Sequence, residues 1–447
     1  MSTTTVSPGT SLVPFTGSPA EAAARLAGDG PHEQYVVYER DGSWWYAGGA
    51  RATVVVDRSH VTLEHGGTRT RTAWHGEPLE TVHQALASLP FADWRAYGWA
   101  TFELSYALAG DAADLGEEPL VHLVVPETEV RLTADGAQVR CGRQRDEDAV
   151  TALLAAAPAH SGGDRPEVLR VDLRERTEGA YGESVARAVA AIGRGDLQKV
   201  ILSRTVPVET ELDLPATYLA GRSANSPARS FLLDLGGVEA VGFSPETVVE
   251  VSPGGRVSTQ PLAGTRALSG DREEDASRRA ELLRDAKEIY EHAISVQVAW
   301  DEMTTVCRAG SVRAEEFMTV KERGSVQHIA SRVTGELRVT GRGPWPALAA
   351  VFPAVTASGV PKDAAYRTIR DLEAEPRGLY SGAVLTVGSD GFLDAALVLR
   401  TVFRQGGRTW LRAGAGIVGQ SSPERELEET CEKLRSISRT LVPVAKG

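Results

Sequence analysis

Short β-rich runs separated by glycine and proline recur through the C-terminal two-thirds of the chain, and they limit its fold more than any other feature. FLLDLGG, VEAVGFS and TVVEVS follow one another between residues 231 and 252, the punctuation expected of an antiparallel sheet. LQKVILSRTVPVE reads as a strand before them, after a helix over 178–192 that Gly193 and Gly195 end. GAVLTVG, LDAALVLRTVFR and TWLRAGAGIV add later strands, and a helix from Pro423 ends the fold. One long helix is expected over 272–303, with an apolar stripe of Ile289, Ala293, Val296 and Trp300. Nearer the N-terminus, YVVYERDGSWWYAGG gives two strands about an Asp41-Gly42 turn. ATVVVD, WRAYGWATFEL, LVHLVVP and VLRVDL supply more, and Ser18 with Pro19 opens a short helix that Gly28 closes.

Runs of strands interrupted by a few long helices predict an α+β fold with large antiparallel sheets, not a repeating βαβ order. No glycine-rich phosphate loop follows a strand, so a dinucleotide or P-loop site has no support. The loose stretch at 159–166 is the candidate boundary between an N-terminal sheet portion, 18–165, and a motif-bearing portion, 166–440, of one domain covering 18–447. Residues 1–17, rich in Ser, Thr and Pro, read as a flexible tail and not a signal peptide.

The formal net charge of −12 disfavours nucleic acid or an anionic membrane as partner, because both are held by surplus Lys and Arg. An acidic protein with an anionic substrate must therefore gather a few cations locally. Three scattered cysteines, Cys141, Cys307 and Cys431, argue for a reducing compartment and against a disulfide framework or zinc site. No run of roughly 18 apolar residues offers a membrane span, so the cytoplasm is expected.

Against that acidic background a few residues carry chemistry. Glu288 and Glu291 lie three apart on the long helix and share a face. Glu426, Glu429 and Lys433 line one face of the last helix, with Ser422 as its cap. Either glutamate pair alone is an ordinary exposed helix face, but two pairs on separate helices could converge on magnesium, which takes oxygen ligands and keeps waters. Lys199 and Arg400 sit in strand-like, otherwise apolar runs, and Arg400 is expected to share a strand face with Val398 and Val402. Both are either sheet decoration on an exposed face or buried groups that need a partner. A desolvated lysine is a usable base, and arginine suits a planar carboxylate. Gly414 and Gly416 alternate in RAGAGIV, where missing side chains mark a tight bend or the approach of a ligand. Glu246 follows a proline at a strand end, and His328 in SVQHIAS reads as a core histidine or a catalytic one.

At these residues the chain resembles the chorismate-utilising enzymes, the group built like anthranilate synthase component I. The segments that carry the resemblance are KVILSR, GFSPE, PLAGTRAL, KEIYEHAISV, ERGSVQHIAS, FPAVTASGVPK, PRGLYSGAV, RAGAGIV and PERELEETCEKL, in the family's order over 197–434. FPAVTASGVPK and RAGAGIVGQSSPERELEETCEKL are most similar to the salicylate synthase branch, and YVVYERDGSWWYAGG and GWATFEL resemble it more weakly. The resemblance implies a large two-sheet antiparallel sandwich with helices outside. It implies that Glu291 and Glu429 bind Mg2+ directly, with Glu288 and Glu426 completing the shell, and that the metal holds the ring carboxylate of chorismate. Arg400, Tyr380, Lys433 and the N–H groups of Gly414 and Gly416 would receive substrate carboxylates, while Gly264, Thr265 and His328 line the pocket. Ammonia-using relatives carry Gln where this chain has Lys199, so Lys199 implies a water nucleophile, no glutamine amidotransferase subunit, and Glu246 as the acid. Salicylate with pyruvate is the expected outcome, isochorismate alone or silent chorismate binding being the alternatives. A monomer serving siderophore or similar biosynthesis completes the expectation.

Overall fold

The computed structural model describes residues 11–111, 115–156, 169–174, 178–323, 326–339 and 341–445. Among these, two antiparallel sheets of eleven and twelve strands face one another. The first runs Ser11–Val13, Gly136–Cys141, Thr128–Thr133, Ser43–Gly48, Tyr35–Arg40, Arg229–Leu235, Val238–Ser244, Thr401–Gln405, Arg408–Ile417, Lys199–Pro207 and Gly359–Val360. The second runs Leu262–Ala267, Val326–Glu336, Arg256–Thr259, Thr247–Val251, Leu393–Leu397, Ala383–Gly388, Arg95–Ala100, Val121–Val125, Ala52–Val56, His60–His65 and Thr68–Ala73. Arg313–Arg323 flanks the far side of Val326–Glu336. Each sheet interleaves strands from both ends of the chain: Tyr35–Arg40 pairs with Arg229–Leu235, and Arg95–Ala100 with Ala383–Gly388.

Period-two alternation explains why these strands read as nearly continuous apolar runs. In Tyr35–Arg40, Val36 and Tyr38 join the core between the sheets, with Trp99, Phe231 and Val384. Tyr35 and Val37 point the other way, into a core shared with the helix Pro19–Asp29 and the last helix, Pro423–Ser438. A third core lies under the helices on the outer face of the second sheet and continues to Val200, Leu202, Ala415 and Ile417 of the first. The result is a helix–sheet–sheet–helix stack, which is the α+β sandwich the strand runs predict. No described helix is long and apolar enough to cross a membrane.

Polar ties cross the central core, and one is a buried ion pair. Arg229 of the first sheet donates from Nε and Nη2 to the carboxylate of Asp394 in the second, at 2.8 and 2.7 Å, and the Tyr38 hydroxyl donates to the same group. Asp394 is 1% exposed, so charge and hydrogen bonding must balance within the core itself.

Several local expectations are corrected. The long helix is two, Arg272–Leu282 and Ala286–Val306, because Asp285 caps the second through the N–H groups of Lys287 and Glu288. Its expected apolar stripe faces partly outward: Ala293 and Trp300 are exposed, and the buried face is Glu288, Glu291, His292, Ser295, Val296, Ala299 and Met303. WRAYGWATFEL is a strand only to Ala100, followed by the helix Leu104–Leu108. The first helix runs on past Gly28 to Asp29, with Ser18 and Glu21 forming a capping box. Leu169–Asp172 of VLRVDL is not a strand, although Leu169 N–H reaches Leu441 O. The tail expectation stops short of Ser11–Val13, which pairs with Gly136–Cys141. The boundary at 159–166 lies outside the described residues.

The Arg229–Asp394 tie has a measurable consequence. Asp394→Ala leaves the guanidinium buried without its main counter-charge and should cost about 3–5 kcal/mol. Urea unfolding followed by tryptophan fluorescence measures this, and a loss below about 1 kcal/mol would show that the tie is dispensable.

Candidate active site

Two chain crossings between the sheets generate the cleft. Val238–Ser244 belongs to the first sheet and Thr247–Val251 to the second, so Glu246 lies in the crossing between them. The chain crosses back between Leu393–Leu397 and Thr401–Gln405, where Arg400 adopts a left-handed φ of 51°. The two crossings are stitched together: Leu397 N–H reaches Glu246 O at 3.1 Å and Phe243 N–H reaches Arg400 O at 3.2 Å. This overturns the expectation that Arg400 shares a strand face with Val398 and Val402. The bend breaks the alternation, and so the guanidinium is aimed at His328 and not at a sheet face.

The described part of the chain gives Arg400 no carboxylate partner. It donates from Nη2 to His328 Nε2 at 3.0 Å and from Nη1 to Arg323 O at 3.3 Å. Crowding by protein and the charge of Arg323 draw its pKa down to about 10. A guanidinium only donates, so His328 Nε2 accepts and the ring proton sits on Nδ1, 2.9 Å from Thr265 Oγ1. Burial, then the cations Arg400, Lys433 and Arg323, hold the His328 pKa well below its ordinary value, and the ring is neutral. Both ring nitrogens are thus occupied by Arg400 and Thr265.

The four sequence-marked glutamates lie on two helices, and Glu291 and Glu429 share Lys199 and Lys287 as charged neighbours. Lys199, first residue of its strand and 4% exposed, places Nζ 3.4 Å from Glu291 Oε2. Lys287, unmarked in the sequence reading, stands 3.6 Å from Glu291 Oε1. Arg266 reaches Glu288 Oε1 at 3.1 Å, and Lys433 reaches Glu429 Oε1 and Gly414 O, each at 2.8 Å. Glu429 and Lys433 remain 36% and 40% exposed at the side chain, so the cleft is open to a ligand there. Glu426 has no such partner. Both of its oxygens, and Glu291 Oε1, are buried without a close hydrogen bond, and Glu426 draws its support from Ser421 and from the charges of Lys287 and Arg425. Burial, together with the like charge of Glu429, pushes the Glu426 carboxyl up.

Among the described residues no three His, Cys, Asp or Glu side chains converge closely enough to hold a metal unaided. The donor set nonetheless fits magnesium, which needs few carboxylates when water and ligand oxygens complete its shell. Orphaned carboxylate oxygens at Glu291 and Glu426 are what such an ion would satisfy.

Glycines keep the floor of the cleft open. A Cβ on Gly416 would come within 3.3 Å of Lys199 Cε and 3.7 Å of Glu291 Oε2. One on Gly414 would meet Leu202 O at 2.9 Å and the Tyr380 hydroxyl at 3.0 Å. Gly264, at φ +81°, sits at an irregularity in its strand, where a Cβ would press on Glu288. On the opposite side Glu246 is 4% exposed and accepts from Thr356 Oγ1 at 2.8 Å. Burial raises its carboxyl to about 8, outweighing the hydrogen bonds of Thr356 and Leu262 and the charge of Lys199. Thr356 was not singled out from the sequence, since a loop threonine has no periodic signal, although FPAVTASGVPK contains it.

The chain matches the chorismate binding enzyme family over residues 33–439. It is 41% identical over 429 residues to a salicylate synthase of Mycolicibacterium paratuberculosis, covering 95% of this chain and 94% of that one. Similarity to anthranilate synthase component 1 of Thermus thermophilus is 38% over 294 residues, 66% of this chain and 62% of the relative. The solved menaquinone-specific isochorismate synthase of Escherichia coli superposes with a TM-score of 0.73, covering 97% and 95%, at 20% identity, a likeness of fold.

Gly416 supplies a direct check on the cleft. Gly416→Ala places a methyl against Lys199 and should lower kcat/KM by about tenfold or more through misplaced groups. The melting temperature should hold, because the nearest atoms are side-chain ends, not backbone. Unchanged kcat/KM would mean that the space above Gly416 is not used.

Proposed function

The chain belongs to the chorismate binding enzyme family, and from that premise we propose that it is a salicylate synthase, converting chorismate to isochorismate and then to salicylate and pyruvate. The observation that carries this reading is a buried lysine opposite a carboxyl raised to about 8, an acid kept protonated at neutral pH. Water needs a base to become a nucleophile, and a departing hydroxyl needs an acid. Lys199 and Glu246 fill those two roles.

In the first step Lys199, as the free amine after giving up its own proton, takes a proton from a water molecule as the water oxygen bonds to C2 of chorismate. The ring double bonds shift, the C4–O bond breaks, and Glu246 gives its proton to the departing hydroxyl, which leaves as water. Isochorismate results, with no net change in composition. In the second, the hydrogen on C2 passes to the methylene of the enolpyruvyl group as the C3–O bond breaks, giving salicylate and pyruvate. That step asks for a held conformation more than for a base. Arg400, with no carboxylate of its own, receives a substrate carboxylate in its planar fork, and Lys433, Tyr380 and the open backbone at Gly414 and Gly416 receive the other. His328 and Thr265 hold Arg400 in place. Glu288, Glu291, Glu426 and Glu429 would hold Mg2+, which neutralises a substrate carboxylate and fixes its orientation. Water as nucleophile removes the need for an amidotransferase subunit. We extend the proposal to a cytoplasmic monomer that supplies salicylate to siderophore or related synthesis.

Incubation with chorismate and magnesium, without ammonia, tests the whole reading. Salicylate is the expected product; accumulating isochorismate would restrict the enzyme to the first step, and intact chorismate would make it a silent binder. EDTA should abolish turnover until magnesium is restored, and undiminished activity in EDTA would remove the metal. Lys199→Ala should stop consumption of chorismate yet spare breakdown of supplied isochorismate, whereas equal loss of both would contradict the base role.

The acid makes a separate prediction about pH. Glu246 must be protonated to act, so kcat/KM should fall as pH rises through about 8. Glu246→Gln should lower the rate by roughly 10²–10⁴-fold and abolish that limb. An unchanged alkaline limb in the variant would assign it to another group.

A further inference from the structure

The acid and base lie on different parts of the fold, and one buried side chain is bonded to the neighbours of both. Thr356, which grips Glu246, belongs to the segment Ala354–Val360. That segment also borders the base. Gly359–Val360 pairs with Lys199–Val200, Ser358 O accepts from Ile201 N–H at 2.8 Å, and Val360 O accepts from Gln198 N–H at 2.8 Å.

Arg377 braces this junction from behind. Its Nη1 donates to Ala357 O and its Nη2 to Ile201 O, both at 2.7 Å. Ala357 follows Thr356 in the chain, and Ile201 lies two residues after Lys199. Glu373 holds the guanidinium through Nε at 2.9 Å and Nη2 at 2.6 Å, and its own Oε1 accepts from the backbone N–H of Ser203 at 2.7 Å, further along the strand of the base. Arg377 is 4% exposed, with the Phe102 ring centroid 4.5 Å from its guanidinium carbon. Every partner it has is fixed within the fold, so it has no slack with which to follow a substrate.

We propose that Arg377 is a positioning residue that sets the separation of Lys199 and Glu246, a role that rests on the base and acid assignments above. The planar fork is what makes this work: one group reaches two carbonyls and a carboxylate at fixed angles. Lysine keeps the charge and can stay with Glu373, but it cannot span both carbonyls in one plane. The substitution therefore slackens the brace without leaving Glu373 unpaired.

Arg377→Lys, Glu246→Gln and the double variant, assayed for chorismate consumption with magnesium, test the idea. Circular dichroism and melting curves establish that each is folded. In the wild-type background Arg377→Lys should lower kcat about 10–100-fold, the scale of an ångström-sized misplacement. In the Glu246→Gln background the fractional loss should be several-fold smaller, since only the placement of the base is then left to disturb. Near wild-type kcat for Arg377→Lys, or the same fractional loss in both backgrounds, would overturn the role and leave a plain structural one. Near wild-type turnover by Glu246→Gln alone would remove the acid assignment instead, and the positioning role with it. Should Arg377→Lys not fold, Glu373→Gln loosens the same guanidinium, and the same dependence on Glu246 decides the outcome.

Discussion

Charge balance inside a desolvated cleft governs this structure. Four glutamates from two helices border it, and three are answered from within the chain: Glu288 by Arg266, Glu291 by Lys199 and Lys287, and Glu429 by Lys433. Glu426 is left over, fully buried and without an ion pair, supported by the Ser421 hydroxyl and by the charges of Lys287 and Arg425. A carboxylate in that state costs several kcal/mol unless a proton or a cation joins it. Apolar residues would pack the same space with less risk to stability. The cluster is therefore the mark of a site, and in the proposed function the missing charge is the metal's.

On the opposite side of the cleft the imbalance has the other sign. Arg400 and Arg323 meet no carboxylate among the described residues, and His328 beside them is neutral. A chain of net charge −12 thus keeps a local excess of cations where an anion would sit. In the proposed function the two imbalances would complement one another across a small dicarboxylate, one end held by the cations and the other through an ion on the glutamates.

The sheets were legible in the sequence because glycine and proline break the chain where many of the strands end, and the glutamate spacing placed each pair on one helical face. The helix Ala286–Val306 was misread for a definite reason. Its stripe was sought among apolar residues, yet the face turned inward lines a cleft and carries Glu288, Glu291, His292 and Ser295. Arg400 was misread because VLRTV contains no residue that announces a left-handed turn, so strand alternation was carried through it. Contacts such as Arg229 with Asp394, 165 residues apart, leave no local trace at all. Thr356 and Arg377 are of that kind: they sit inside segments whose family likeness was plain, but their tasks are visible only once distant strands are assembled.

The crossings between the sheets explain why those distant contacts cluster where they do. Within a sheet, a residue is confined to one of two faces. At a crossing the chain leaves one ladder before joining the next, and its side chains can take directions the pleat forbids. Glu246 and Arg400 occupy the two crossings, and the backbone bonds between Leu397 and Glu246 and between Phe243 and Arg400 hold them rigid. A loop could offer the same directions, but not the same precision, because it lacks two sheets to anchor it. The sandwich therefore does more than shelter the cleft. Its strand order brings two crossings side by side, and so delivers Glu246 and Arg400, 154 residues apart in the chain, to one cleft.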